Sequence, residues 1–357
     1  MKAVDLSSKK MWSKINTMMW LVRREVWENK RSFVWVPLGL ALIFALFFLF
    51  MFVREGFTNP DYFGHFYYPV GATSTSNGSF FLSGAVSLSS ALTEPQKAYY
   101  SSMLGAAFLT MSLPLLGIYA VIAYFYASMA LFNERMDKSI LFWKSMPFSD
   151  AQSVSAKLLT VLLVAPLLVW LCATIVWFVF LFILALVYAC FGHGVFITFF
   201  TSPNVYLAPL SELAMLPVFI VSALPVATWF LMVSAWAKKS PQAWSFGVPL
   251  LLIMVLVAMV SSHFFGYLDA HHPWVELSRS ATETLARQSG GLVPGAWLVQ
   301  ASSTNSPPLS RGELNVCDLV AYSWQSLSAI RVAVALLLST LFFMATVRLR
   351  RTQVLAG

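Results

Sequence analysis

The sequence predicts an all-α integral membrane protein with six transmembrane helices and both termini in the cytoplasm. Three observations predict it. Hydrophobic residues fill 59% of the 357 positions and charged residues only 11%, against about a quarter charged in an ordinary soluble domain. A soluble fold cannot hide that much apolar surface, because part of every fold must face water. The apolar residues gather in runs of about twenty, the length an α-helix needs to cross a hydrocarbon core of about 30 Å. The basic residues stand beside the ends of those runs, as loop charges do on membrane proteins. The runs recur along the whole chain, so a single membrane domain is expected.

Residues 1–32 open the chain with Trp12, Ile15, Met19, Val22 and Val26 at spacings of three and four, and with Lys14, Arg23, Arg24 and Glu28 as a polar side. One apolar stripe with basic and aromatic content favours a helix lying on the inner membrane face over a plain cytoplasmic extension of the first span. The transmembrane domain covers 33–347. Its first span is Phe33–Val53, with Pro37 in the first turns, where a missing N–H costs little. That run is long enough to span, so anchoring without cleavage is expected. An external segment at 54–103 follows, rich in Gly, Ser, Thr and aromatics, with GATSTSNGS at 71–79. Its NGS matches a glycosylation sequon, a pattern common by chance. The second span is Leu104–Phe132, interrupted by Pro114 and Gly117, and the third is Leu158–Val187, with Pro166 inside. The fourth is Leu213–Ala237, with Pro217 and Pro225; the fifth is Trp244–Phe265 and the sixth Ile330–Val347. Prolines at such places kink membrane helices. Between the last two spans lies a second external segment, 266–328. A short helix is expected at 274–288, ended by Gly290 and Gly291. The apolar run LVPGAWLV at 292–299 is too short to span, and it either dips back into the membrane from outside or packs on external loops. A cytoplasmic tail, 348–357, ends the chain.

The formal net charge is +8, and its placement decides what it means. Lys2, Lys9, Lys10, Lys14, Arg23, Arg24, Lys30 and Arg31 precede the first span. Arg135, Lys138, Lys144 and Lys157 lie between the second and third, Lys238 and Lys239 between the fourth and fifth, and Arg348, Arg350 and Arg351 in the tail. Seventeen of the 23 basic residues thus fall on one side, which the positive-inside rule makes cytoplasmic. No basic-aromatic platform speaks for nucleic acid. Cys172, Cys190 and Cys317 show no metal spacing. Cys172 sits in an apolar run as a small hydrophobe; Cys190 and Cys317 share the external side, where two free thiols are favoured over a disulfide. The spans carry almost no ionisable residues, Glu212, Arg331 and His263 lying near span ends. Ion-coupled carriers need acids or histidines at membrane depth, so that class is disfavoured. An intramembrane enzyme would need a nucleophile and base or a metal set, and neither HExxH nor GxSxG occurs. His193, His271 and His272 fall in external loops with no further ligands evident.

The stretch NERMDKSILFWKSMPFSDAQSVSAK at 133–157 is the most informative. Its charges come first, then an apolar turn at Ile140–Trp143, then Pro147. Ser149 with Gln152 three residues on reads as a capping box, and Asp150 suits the helix dipole. A short helix should therefore end near Pro147 and a new one begin at Ser149. This stretch resembles the cytoplasmic loop of the type-2 ABC exporter permeases. In that family an acidic-Arg-acidic start, a Gly-Thr pair, a leucine-rich turn, Pro-Val-Ser and a lysine lead into the third span. The matching residues are Glu134, Arg135, Asp137, Ser139, Leu141, Pro147, Ser149 and Lys157, with Lys138 where the family has glycine. LFWKSMPFSD at 141–150 and REVWENKRSF at 24–33 are similar to a bacterial subgroup.

The resemblance covers the whole layout: an interfacial N-terminal helix, six spans, a coupling helix between spans two and three, and an external re-entrant element between spans five and six. It implies a bacterial inner-membrane permease in which two chains, alike or different, form a pathway. Each chain docks through the coupling loop on a separate ABC ATPase that carries the Walker motifs, ATP and magnesium. This chain has no GxxxxGK[ST], so no ATP hydrolysis of its own is expected. On this reading Phe142 and Trp143 anchor the ATPase contact, and Glu134, Arg135, Asp137, Lys138 and Lys144 set its register. Poorly charged spans suit an apolar or amphipathic cargo, such as a lipid, a peptide or a drug-like molecule. The alternative that shares the loop is a non-transporting subunit that signals or transmits force across the membrane.

Overall fold

The computed structural model describes residues 2–58, 65–67, 85–87, 94–146, 148–190, 200–261, 316–325 and 327–352. They form ten α-helices: α1 (Lys2–Glu28), α2 (Val36–Thr58), α3 (Glu94–Met136), α4 (Ser139–Ser145), α5 (Asp150–Leu159), α6 (Ala165–Cys190), α7 (Pro203–Trp236), α8 (Pro241–Ser261), α9 (Val316–Gln325) and α10 (Ala329–Thr352). One small antiparallel hairpin, β1 (His65–Tyr67) with β2 (Ala85–Ser87), pairs Phe66 with Val86. A π-helical turn at Arg31–Trp35 precedes α2, and another at Thr160–Val164 joins α5 to α6. Among the described residues five helical stretches are long and apolar enough to cross a membrane: Arg31–Met51, Ala107–Met136, Asp150–Val187, Pro203–Trp236 and Ala329–Thr352. The described residues thus make a predominantly α-helical, multi-pass membrane protein. The stretch expected as a fifth span, Trp244–Phe265, overlaps α8 as far as Ser261, and its last residues lie outside the described ones; α8 is not among these five.

The helices outrun the predicted spans. α3 begins at Glu94 rather than Leu104, α7 at Pro203 rather than Leu213, and α10 continues past Val347 to Thr352. Hydropathy reports only the part of a helix that can sit in hydrocarbon, whereas the backbone ladder continues wherever nothing interrupts it. The start of α7 is set locally: Ser202 is extended and Pro203 occupies the first turn, where its lost N–H is cheap.

α3 and α7 run side by side in the same direction and form the axis of the bundle. The backbone N–H of Asn204 donates to Ser101, Ser112 donates to Glu212, and the N–H groups of Leu131 and Phe132 donate to Ser234 Oγ. Small residues, Ala120, Ala123 and Ala127 on α3 and Ala223 and Ala227 on α7, belong to the core between them; side chains of that size let membrane helices approach closely. Fully buried Tyr119 stands at the centre, edge-on to Phe219 with centroids 6.0 Å apart. Its hydroxyl donates to the carbonyl of Val161, inside the second π turn, where the ordinary i→i+4 ladder is disturbed. A second cluster gathers Phe108, Trp177, Leu181, Val205 and Ala208. α9 docks on α7: Trp324 Nε1 donates to the carbonyl of Ala214 at 3.2 Å, and Ser323 Oγ approaches Met215 Sδ at 3.3 Å.

Several sequence readings fall elsewhere. The sequon at 77–79, the stretches 274–288 and 292–299, Pro147, and His193, His263, His271 and His272 lie outside the described residues. Of Trp12, Leu141, Lys144, Cys190 and Cys317 only the backbone is described. Cys172 is a buried free thiol.

Candidate functional site

The charged residues around the loop between α3 and α5 are drawn together with charges from both ends of the chain. The geometry starts at the loop. α3 ends at Met136 and turns sharply at Lys138, which takes the left-handed conformation, φ 54° and ψ 11°. That region is costly for a side chain bearing Cβ and free for glycine. α4 follows and ends at an extended Met146. The capping box then forms: Ser149 Oγ accepts from the backbone of Gln152 at 3.2 Å, and Gln152 Oε1 accepts from the backbone of Ser149 at 2.9 Å. This fixes the start of α5 and hence the position of Lys157 in its last turn.

α1 supplies the second side. Leu21 and Glu25 are buried and Arg24 is nearly so, whereas Ile15, Met19, Trp20 and Trp27 are exposed. Leu21, Arg24, Glu25 and Glu28 share a helix face by their spacing of three and four, and it is this face that packs on the bundle. Arg24 therefore leaves the polar side that the sequence pattern assigned to it. Val22 and Val26 are half-buried and Arg23 is exposed.

Six charges meet at the junction. Lys157 Nζ lies 2.9 Å from Glu25 Oε1 and 3.0 Å from Glu134 Oε1. Arg350 Nη1 lies 3.0 Å from Glu134 Oε2, and its Nε lies 3.1 Å from Asp150 Oδ1. Arg24 Nη2 lies 2.7 Å from Glu25 Oε1 and 3.8 Å from Glu134 Oε1. The Tyr126 hydroxyl donates to Glu25 Oε2 at 2.6 Å. Three cations thus balance three carboxylates, and α1, α3, α5 and α10 each contribute. Buried charges are tolerated only when paired in this way. Burial by itself pushes the Glu25 carboxyl up, but Lys157, Tyr126 and Arg24 outweigh it and hold the group below its ordinary value. Glu28, half-exposed at the rim, goes the other way: burial raises it and Arg24 opposes, while Glu25 and Glu134 add to the rise.

α4 leans on this hub. The guanidinium of Arg24 lies over the Trp143 ring, 3.7 Å from its centroid, a cation–π arrangement. Ser139 Oγ donates to the carbonyl of Glu134 at 3.3 Å, and Ile140 is buried. Phe142 packs edge-on to Trp143 yet stays 57% exposed, and Asp137 and Lys138 are exposed too. Arg135 does not face outward. Its Nη2 donates to the carbonyls of Ser234 at 2.8 Å and Ala237 at 2.7 Å, supplying a cation to the carbonyl end of α7. Of the loop residues singled out in the sequence, Glu134 and Arg135 thus bond within the chain, Trp143 is shared with α1, and Phe142, Asp137 and Lys138 remain presented.

Between α1 and α3, beside α4, opens a groove of about 660 Å³. Its upper wall is apolar, with Val121, Ile122, Phe125 and Met129; its lower end holds Arg24, Glu25, Glu28, Glu134, Asp137 and Lys157. Among the described residues no group of three or more His, Cys, Asp or Glu side chains is placed to hold a metal ion.

The roles of Glu25, Tyr126, Asp150 and Arg350 escaped the sequence reading. A usable signal existed for one of them: Glu25 lies on the same helix face as Leu21, so a carboxylate there is directed inward and needs a buried partner. Comparisons with protein-family models, with curated proteins and with solved structures return no match to this chain.

Proposed function

We propose that the chain is the membrane-spanning subunit of an ATP-driven ABC exporter of the bacterial inner membrane. α4 is its contact with a separate ATPase that carries the Walker motifs, ATP and magnesium, and a second permease chain completes the pathway. The observation that carries this reading is the loop between the second and third spans. Lys138 adopts a left-handed conformation at the position where the resembled family has glycine, the residue that conformation favours. The short helix beyond it rests on a charge hub into which four helices reach.

Counting α8 as the fifth crossing makes six spans and keeps both termini on the cytoplasmic side. The exposed Ile15, Met19, Trp20 and Trp27 of α1 suit a helix lying in the headgroup region. The docking of α9 on α7 suits an external element that re-enters beside the bundle. On this reading exposed Phe142 enters a groove of the ATPase. Closure of the ATPase displaces α4; Trp143 carries the motion to Arg24, and the hub passes it to α1, α3, α5 and α10 together. Glu134 and Arg135 then serve to transmit force, and Asp137 and Lys138 are left to set register. The cargo remains an apolar or amphipathic molecule.

Purification from native membranes in mild detergent, with mass spectrometry and an ATPase assay on the eluate, tests the assignment. The expected outcome is a co-eluting ATPase with Walker motifs in about equal amount. A chain that elutes alone, with no nucleotide dependence, removes the assignment. Phe142→Ala with Trp143→Ala should abolish cargo-stimulated hydrolysis while helicity and monodispersity persist; unchanged transport would take α4 out of its role. ATPase activity that no cargo stimulates would favour the signalling alternative.

A further inference from the structure

The groove between α1 and α3 has the make-up of a binding site, and coupling to an ATPase does not require one. Its wall follows one face of α3 from Val121 to Asp137, sixteen residues or about 24 Å at 1.5 Å per residue. That length is close to one leaflet, headgroups included, of a bilayer about 40–45 Å thick. Its two ends differ as the two ends of a lipid do. Val121 and Phe125, both about half exposed, belong to the apolar end, with Ile122 and Met129. At the other end four carboxylates, Glu25, Glu28, Glu134 and Asp137, face two cations, Arg24 and Lys157. Lys157 is held by Glu25 and Glu134, Arg350 by Glu134 and Asp150, and Arg24 Nε lies 3.2 Å from Glu28 Oε1. Three cations thus serve these four carboxylates and Asp150, and the excess falls at the exposed rim, on Asp137 and on Glu28, which shares Arg24 with Glu25. Arg24 also keeps Nη1 buried without a hydrogen-bond partner. A site with surplus carboxylates beside an unspent guanidinium donor is complementary to a zwitterion that carries an ammonium and a phosphate.

We propose that this groove holds one inner-leaflet phospholipid with a primary-amine headgroup. The ammonium meets Glu28 and Asp137, the phosphate accepts from Arg24, and one acyl chain lies along Val121 and Phe125. A volume of about 660 Å³ accommodates a headgroup and the first part of a chain, within the usual range for small-molecule sites. The bound lipid neutralises the carboxylate excess beside α4. The proposal rests on the membrane-spanning architecture and on the orientation that the basic residues predict, so it stands or falls separately from the ATPase assignment.

The test uses the full chain by itself, in micelles doped with equal amounts of phosphatidylethanolamine, phosphatidylglycerol and phosphatidylcholine, with native mass spectrometry after delipidating washes. Phosphatidylethanolamine should be retained over the glycerol headgroup, which has no cation, and over the choline headgroup, which has no N–H to donate. Glu28→Gln with Asp137→Asn should lower its retention about three- to tenfold, as expected for two solvent-accessible ion pairs, and leave phosphatidylglycerol unchanged. Val121→Trp, at a position 55% exposed and so tolerant of bulk, should lower retention by obstructing the chain path. Equal retention of the three lipids, or full retention by the double variant, overturns the proposal. A photocrosslinker at Phe125 that captures a second copy of the chain or another protein instead of lipid overturns it as well.

Discussion

Lys157 stands between two carboxylates with its ammonium almost wholly buried, so its removal leaves Glu25 facing a low-dielectric site with less than its share of positive charge. Lys157→Met should cost about 3–5 kcal/mol, the usual penalty for breaking a buried pair from one side, read as a lowered melting temperature in detergent. Glu25→Gln with Lys157→Met should recover part of that loss, because the stranded charge is gone; a double variant as unstable as the single would point to packing instead. The pH dependence has a definite sign. The folded Glu25 carboxyl lies below its ordinary 4.5, so its ionisation stabilises the fold above that value, and the contribution disappears as pH falls through the lowered one. In Lys157→Met burial dominates and the carboxyl moves up. Protonation of that raised carboxyl then favours the fold, so the destabilisation of Lys157→Met, followed by tryptophan fluorescence of α1, should shrink as pH falls through the raised value, where the wild type loses stability. A destabilisation independent of pH would separate Glu25 from the hub.

At the scale of elements, two short connections decide where α4 sits. Lys138 holds the left-handed turn at a conformational cost of about 1 kcal/mol or more. Lys138→Gly should therefore raise stability by about 0.5–1 kcal/mol after the entropy of the unfolded chain is counted. Lys138→Val should lower it, since a β-branched residue fits that region worst. Identical melting of all three would mean that the turn is not kept in solution. Four residues past α4, the Ser149 cap sets the start of α5. Ser149→Ala should cost about 1 kcal/mol, and exchange protection should be lost first in the first turn of α5, near Asp150. α4 needs such anchoring because seven residues are too few for a helix to persist alone.

At the scale of the molecule, the hub closes the chain on itself, since α1 and the last turn of α10 meet there. Truncation after Val347 removes Arg350 and leaves Glu134 and Asp150 without that partner. It should destabilise the protein about as much as Arg350→Ala, again about 3–5 kcal/mol; a truncated chain that melts like the full one would make the contact incidental. The helical, multi-pass character was legible in the sequence because spans are long apolar runs, and the capping box at Ser149 was legible because it is a local pattern four residues wide. The hub was not. Its members lie at positions 24, 25, 134, 150, 157 and 350, and each reads locally as an ordinary charge beside a span. Only the packing of α1, α10 and the end of α3 around α5 brings them within 4 Å of one another. Helix ends were misplaced for a related reason, since hydropathy is blind to turns that continue beyond the lipid.

The two π turns act as vernier settings. Each inserts about one residue into an otherwise regular screw, and each lies near the hub-side end of an apolar stretch long enough to cross a membrane. Excising a single residue from Thr160–Val164 would let an ordinary turn replace the wide one, and α5 and α6 would keep their phase, because the π turn already absorbs the extra residue. Excising one from the regular part of α6 would instead spin everything on its hub side by about 100°, and Lys157 would swing out from between its two carboxylates. The wide turn is thus a slack link that can give up one codon and leave the clutch engaged, which the regular helix beside it cannot.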